Sequence, residues 1–156
     1  MDIELLIKQQ IAANAVILYM KGTPQFPQCG FSARTVEALT QIGEPFAYVN
    51  ILENPDIRAT LPKIANWPTF PQLWINGELI GGCDIVMEMT QKGELAPLVK
   101  AAAKAEWFLI VKAASKLPLL LKYTESQGYS PKITYSDGNS SPQIVISLLS
   151  SISVYS

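Results

Sequence analysis

The chain predicts an α/β fold: a small mixed four-stranded sheet flanked by helices. Three observations carry that prediction. A short, wholly apolar run, "AVILYM" at 15–20, leads through a Gly/Pro-rich loop into a helical stretch, as a buried strand of a partly parallel sheet does. A second strand-like run, "PFAYVNI" at 45–51, follows that helix, so the two strands pair in parallel through a right-handed connection. Two further runs, "FPQLWI" and "ELIGG", flank "NG" at 76–77, the strongest short hairpin signal available.

The elements between follow in order. "DIELLIKQQIAAN" repeats apolar residues at Ile3, Leu6, Ile7 and Ile11, a helical spacing that stops at Asn14. "CGFSARTVEALTQIG" sets Phe31, Val36, Leu39 and Ile42 broadly on one helical side and closes at Gly43. "NPDIRATLPKIAN" reads as a short helix capped by Asn54, opened by Pro55 and interrupted by Pro62. After the hairpin, Cys83 and Asp84 open "DIVMEMTQKG", with Asp84 as the expected N-cap. A last helix starts near Glu94 and runs to about Ala105. The predicted order is α-β-α-β-α-β-β-α-α.

Residues 1–105 therefore make one domain, and 106–156 a C-terminal tail of different character. The tail is serine-rich, poor in acids and without a clear period. Its apolar stretch "WFLIVKAASKLPLLL" is broken by Lys112, Lys116 and Pro118, so no membrane span is expected. The tail reads as disordered or loosely packed, alternatively as an amphipathic helix folding back on the domain or onto a partner, or as an aberrant, frame-shifted end.

Composition narrows the chemistry. At 156 residues and 49% hydrophobic, the chain has ample material for a core. Net charge is −1 and no Lys/Arg run stands out, which removes the electrostatic case for nucleic-acid binding. Histidine is absent, and with it Ser-His-Asp, Cys-His and imidazole-ligated metal sites. The two cysteines, Cys29 and Cys83, are too few for a disulfide framework. The opening "MDIELLIKQQ" also lacks the basic-then-apolar order of a secretory leader. A reducing, cytoplasmic setting is the expectation, where a cysteine is reactive, metal-binding or simply buried.

Cys29 is the centre of interest. It starts a helix, where the positive end of the macrodipole and unpaired backbone N–H groups favour thiolate over thiol. Lys21, at the end of the first strand, adds positive charge if the loop folds back. The plainer alternative is a buried structural cysteine. The position three residues on, where a resolving thiol would stand, is Ser32. A mixed disulfide at Cys29 must then be resolved by a small-molecule thiol, by Cys83 or by another protein, unless the thiolate ligates metal and never needs resolving.

Further features suit a ligand. Thr69-Phe70-Pro71 before a strand suggests a cis peptide bond, leaving the Phe70 backbone to pair with an extended peptide-like molecule. "GGCDI" places the N–H groups of Cys83 and Asp84 at a helix start, an anion site. Arg58 is a candidate second carboxylate clamp. Each has a plainer reading: a loop proline, a hairpin end, an arginine on a solvated face. Together they outline a groove for a small peptide bearing two carboxylates and a thiol. One carboxylate would go to the 82–84 turn and the other to Lys21 and Arg58.

The stretches "MKGTPQFPQCGFS", "FAYVNIL", "NPDIR" and "WPTFPQLWINGELIGGCDIV" resemble, in order and spacing, the single-domain monothiol glutaredoxins of the CGFS type. The resemblance covers about residues 1–105 and nothing after them. It implies the thioredoxin fold and glutathione binding. It also implies a [2Fe-2S] cluster held between two subunits, each giving one cysteine and one glutathione thiolate. On that resemblance Cys29 is the cluster ligand, and Lys21 and Arg58 clamp the glycine carboxylate of glutathione. Phe70 and the presumed cis Pro71 dock its backbone beside Thr69, and Gly82, Cys83 and Asp84 receive its γ-glutamyl end. The implied role is iron–sulfur cluster assembly, storage or transfer to apo recipient proteins, with a homodimer bridged by the cluster and a BolA-type partner. Any thiol–disulfide activity is implied to be weak, and the alternative is a glutathione-dependent oxidoreductase. Cys83 is left either as a backbone contributor or as a reversible disulfide partner of Cys29.

Overall fold

The computed structural model describes residues 2–116 and three short strands beyond them, at 133–134, 143–144 and 153–155. The expected character of the tail falls largely outside the described residues.

Helix α1 spans Ile3–Ala13, and Asp2 caps it by accepting from the N–H groups of Glu4 (3.0 Å) and Leu5 (3.3 Å). Strand β1, Val16–Met20, is buried along its whole length. Helix α2, Gly30–Ile42, begins at Cys29 and stops where Gly43 turns left-handed at φ 80°. Strand β2 is Phe46–Asn50 and helix α3 is Pro55–Ala65. The hairpin strands β3, Gln72–Ile75, and β4, Glu78–Gly81, are joined by Asn76 and Gly77 at φ 51° and 83°. Two successive positive φ values are what a tight hairpin turn demands, and Asn-Gly meets them at little cost. Helices α4, Cys83–Gln91, and α5, Leu95–Lys116, follow.

The four expected strands form one sheet in the order β4-β3-β1-β2, with β1 and β2 parallel and the other pairings antiparallel. This is the thioredoxin fold. Of the short strands β5 (Ile133–Thr134), β6 (Gln143–Ile144) and β7 (Ser153–Tyr155), β7 pairs with the outer edge of β2.

Side chains alternate across β1, and the alternation divides the core in two. Val16, Leu18 and Met20 pack with Val36, Leu39, Val86, Leu95 and Val99, under α2, α4 and α5. Ile17 and Tyr19 pack on the opposite face with Ile7, Ile11, Ile57 and Leu61, under α1 and α3. The Tyr19 hydroxyl, fully buried, donates to Gln10 Oε1 at 3.0 Å and ties β1 to α1.

Four local expectations are corrected. Pro62 does not interrupt α3: it lies inside the helix, which ends at Asn66 in a left-handed conformation (φ 49°). Trp67 N donates instead to the Pro62 carbonyl at 3.1 Å, closing the helix end. The N-cap of α4 is Gly82, and Asp84 is the second residue of the helix, within its first turn and exposed. Phe31 is not on the buried side of α2; it is 56% exposed, and Ser32 faces inward instead. Finally, α5 continues past Ala105 to Lys116, through a mainly apolar stretch that lacks glycine and proline.

Candidate functional site

The parallel strands β1 and β2 end at the same edge of the sheet, and the loops that leave them build the site. After Met20 the chain enters a compact loop in which Gln28 N donates to Lys21 O (2.9 Å), while Thr23 and Phe26 exchange backbone hydrogen bonds. Gly22 is required there. Its φ is +89°, and a methyl group on it would stand 2.5 Å from the Phe26 carbonyl oxygen. Buried Asn50, at the end of β2, receives Gly22 N (2.9 Å) and Leu52 N (3.1 Å) on one side-chain oxygen. The two loops are thereby locked to each other.

This loop delivers Cys29 to the start of α2 in extended backbone. The sulfur is partly exposed. The Ser32 N–H aimed at it holds the thiol below its ordinary value, assisted by the Phe31 N–H, the Lys21 ammonium and the Ser32 hydroxyl, against a smaller opposing effect of burial. Ser32 itself is fully buried, and its Oγ accepts from Lys21 N at 3.2 Å. Position 32 is therefore a structural tie between the end of β1 and the first turn of α2, besides lacking a second thiol.

All nine residues singled out from the sequence line one groove of about 730 Å³: Lys21, Cys29, Arg58, Thr69, Phe70, Pro71, Gly82, Cys83 and Asp84. Phe31, Pro62, Trp67, Pro68 and Ile85 complete its walls. Arg58 is exposed on the first turns of α3, and the Phe70–Pro71 peptide is cis. At the far end, Cys83 and Asp84 are the first residues of α4, whose N–H groups have no acceptor within the helix. The groove thus has a cationic end at Lys21 and Arg58, a thiol whose ionised form is favoured, the 69–71 segment along one wall, and a helix start at 83–84. Cys83 is only 6% exposed, so its part in the groove is chiefly backbone. Both cysteines are free.

Sequence reasoning missed three supports. Asn50 and Ser32 hold the cysteine loop from beneath. Gln72 is the third: fully buried on β3, it donates through Nε2 to the carbonyls of Trp67 (3.0 Å) and Thr69 (3.3 Å). Its available signal was a lone amide inside the apolar run "FPQLWI", which must be paired once buried. Among the described residues no group of three His, Cys, Asp or Glu side chains is placed to hold a metal ion. No described helix is long and apolar enough to cross a membrane.

Known proteins share this architecture. Residues 16–80 match the Glutaredoxin family model. Glutaredoxin 4 of Haemophilus ducreyi is 69% identical over 97 residues, covering 62% of this chain and 91% of the relative. Glutaredoxin 4 of Escherichia coli K12 is 67% identical over 97 residues, covering 62% and 84%. Among solved structures, reduced poplar apo GrxS14 matches with a TM-score of 0.56 at 46% identity, covering 64% of this chain and 91% of its own. A buckwheat glutaredoxin–glutathione complex matches with a TM-score of 0.57 at 25% identity, covering 64% and 89%.

Proposed function

Since the chain belongs to the glutaredoxin family, and within it to the monothiol glutaredoxins, we propose that it binds glutathione and carries a glutathione-ligated [2Fe-2S] cluster for assembly, storage or transfer. The observation that carries this reading is the groove. A single thiolate-favouring cysteine opens onto a site with complementary anchors for a thiol peptide, and a buried serine stands at the resolving position.

Glutathione has two carboxylates, an ammonium, two peptide bonds and a thiol. Lys21 and Arg58 would hold its glycine carboxylate as paired cations. The 69–71 backbone edge would pair with its central peptide, in the manner of strand addition. The α4 start would bind the γ-glutamyl carboxylate through N–H groups, and the Asp84 carboxylate would meet the neighbouring ammonium. That pose brings the ligand thiol beside Cys29.

The donor set fits a cluster only with outside help. Four thiolates serve two irons, and this chain contributes one accessible sulfur, Cys29. Glutathione and a second copy of the chain would supply the rest, so the cluster-bearing species is a homodimer. When bound, the cluster is the cargo presented to apo recipient proteins. The family resemblance supports a BolA-type partner, and a glutathione-rich cytoplasm is the setting in which such a site stays charged.

Glutathione-dependent thiol exchange is the second reading, favoured by the depressed, partly exposed thiol. Cys29 thiolate would attack a glutathione mixed disulfide, forming Cys29–S–SG and releasing the other thiolate. A second glutathione thiolate would then attack Cys29–S–SG, giving oxidised glutathione and restoring Cys29.

Isolation without oxygen, followed by iron, labile sulfide and glutathione analysis, separates the two. The carrier reading expects visible sulfur-to-iron absorption, two irons per dimer, and loss of both in Cys29→Ser or without glutathione. A colourless monomer that rapidly reduces a glutathione mixed disulfide would overturn it.

A further inference from the structure

Gln72 is buried where its neighbours on the same strand are apolar, and it makes a full set of hydrogen bonds. Its Nε2 donates to the carbonyls of Trp67 and Thr69, and its Oε1 accepts from Trp74 Nε1 at 3.3 Å. A buried amide costs free energy unless paired, and leucine would fill comparable space without that demand. What the amide adds is control of the loop ahead of β3. Both of its donors point at carbonyls of the 66–71 segment, outside the sheet ladder.

That segment carries two walls of the groove. One is the backbone edge at Thr69 and Phe70. The other is the Trp67 ring, which packs against Gly82: a methyl added at Gly82 would lie 3.5 Å from Trp67 Nε1 and 3.4 Å from the Pro71 carbonyl. The Trp67 indole nitrogen is enclosed there without a hydrogen-bond partner among the described residues. Position therefore reaches Trp67 through its backbone, whose N–H is tied to the end of α3 at the Pro62 carbonyl and whose carbonyl is tied to β3 by Gln72.

We propose that Gln72 is a positioning residue for the peptide ligand, setting the 67–70 edge at the distance from the α4 start that an extended tripeptide spans. The proposal rests on the reading of the groove as the glutathione site. Gln72 is fully buried and does not line the groove, and its side-chain hydrogen bonds go to Trp67, Thr69 and Trp74 rather than to Cys29 or the loop before it, so its effect is on binding and not on the thiol.

The test uses the full chain, reduced and free of iron, titrated with glutathione by calorimetry. Gln72→Met removes all three bonds at similar volume. Gln72→Glu keeps the acceptor for Trp74 and sets a carboxylate against two carbonyls. Both should lower glutathione affinity on the order of tenfold, because binding must then order an edge that Gln72 holds in place beforehand in the wild-type protein. The rate of Cys29 alkylation and its pH midpoint should stay at wild-type values, which a general loosening of the fold would not allow. Wild-type binding with variant affinities within about twofold overturns the role of Gln72 alone. A wild-type chain that does not bind glutathione overturns the groove assignment and this proposal with it. Should the variants fail to fold, the wild-type side-chain amide protons of Gln72 decide: slow solvent exchange that slows further with glutathione supports the role, and fast exchange indifferent to glutathione overturns it.

Discussion

Replacing Ser32 by alanine removes one hydroxyl that serves two neighbours. Lys21 N loses its acceptor at 3.2 Å, and the Cys29 sulfur loses a donor. Leaving a buried N–H unpaired costs about 1–3 kcal/mol, and the part-buried setting of this bond puts the expectation at about 1–2. In a domain of this size each kcal/mol lowers the melting temperature by roughly 4–8 °C. Equilibrium urea unfolding under reducing conditions measures the loss, and the pH dependence of iodoacetamide alkylation follows the thiol. The alkylation midpoint should rise only modestly, because the Ser32 N–H, the largest influence on that thiol, remains. Ser32→Cys extends the test: its sulfur, a weak acceptor, should cost similar stability in the reduced protein. It should also form a disulfide with Cys29 and raise exchange activity. Unfolding of Ser32→Ala within about 0.5 kcal/mol of wild type would refute the structural tie.

The depressed Cys29 thiol makes stability depend on pH. Its contribution is complete above the unfolded thiol's value of about 8.5 and is lost as pH falls through the lower folded value. The stability difference between wild type and Cys29→Ser, read by urea unfolding, should therefore widen in favour of wild type from neutral pH towards 9. Gly22→Ala drives a methyl into the Phe26 carbonyl at positive φ, and should cost about 2–4 kcal/mol while slowing Cys29 alkylation. Arg58→Gln, on an exposed helical position, should leave the melting temperature nearly unchanged and weaken glutathione binding roughly tenfold by calorimetry.

Much of this molecule was legible along the chain. The apolar run of β1, the Asn76-Gly77 turn and the glycine stop of α2 are local signals, and local backbone preference decided them. That nine candidate residues share one groove has a related reason: they sit at or near the ends of elements, where Gly, Pro and isolated charges stand out in a sequence. What stayed hidden depends on how separate segments meet. Ser32 looks like an absent cysteine until Lys21 is seen to donate to it. Asn50 and Gln72 look like polar interruptions of strands, because their partners lie in loops that periodicity does not place. The cap of α4 fell to Gly82 because the chain leaves β4 through Gly81 at φ 142°, a conformation that local propensity at Asp84 cannot report.

The sheet that splits the core in two also splits the groove. Arg58 belongs to the layer of α1 and α3, whereas Cys29 and Asp84 belong to the layer of α2, α4 and α5. A molecule lying from Arg58 to Asp84 is then a strut between two halves otherwise joined chiefly through the strands. Linkage gives such a strut about 2.7 kcal/mol at a hundredfold excess over its dissociation constant. Because its anchors lie on both sides, that gain resists opening of either layer. A ligand so placed would make one cooperative unit of the two packed faces, and its concentration would set how firmly they hold together.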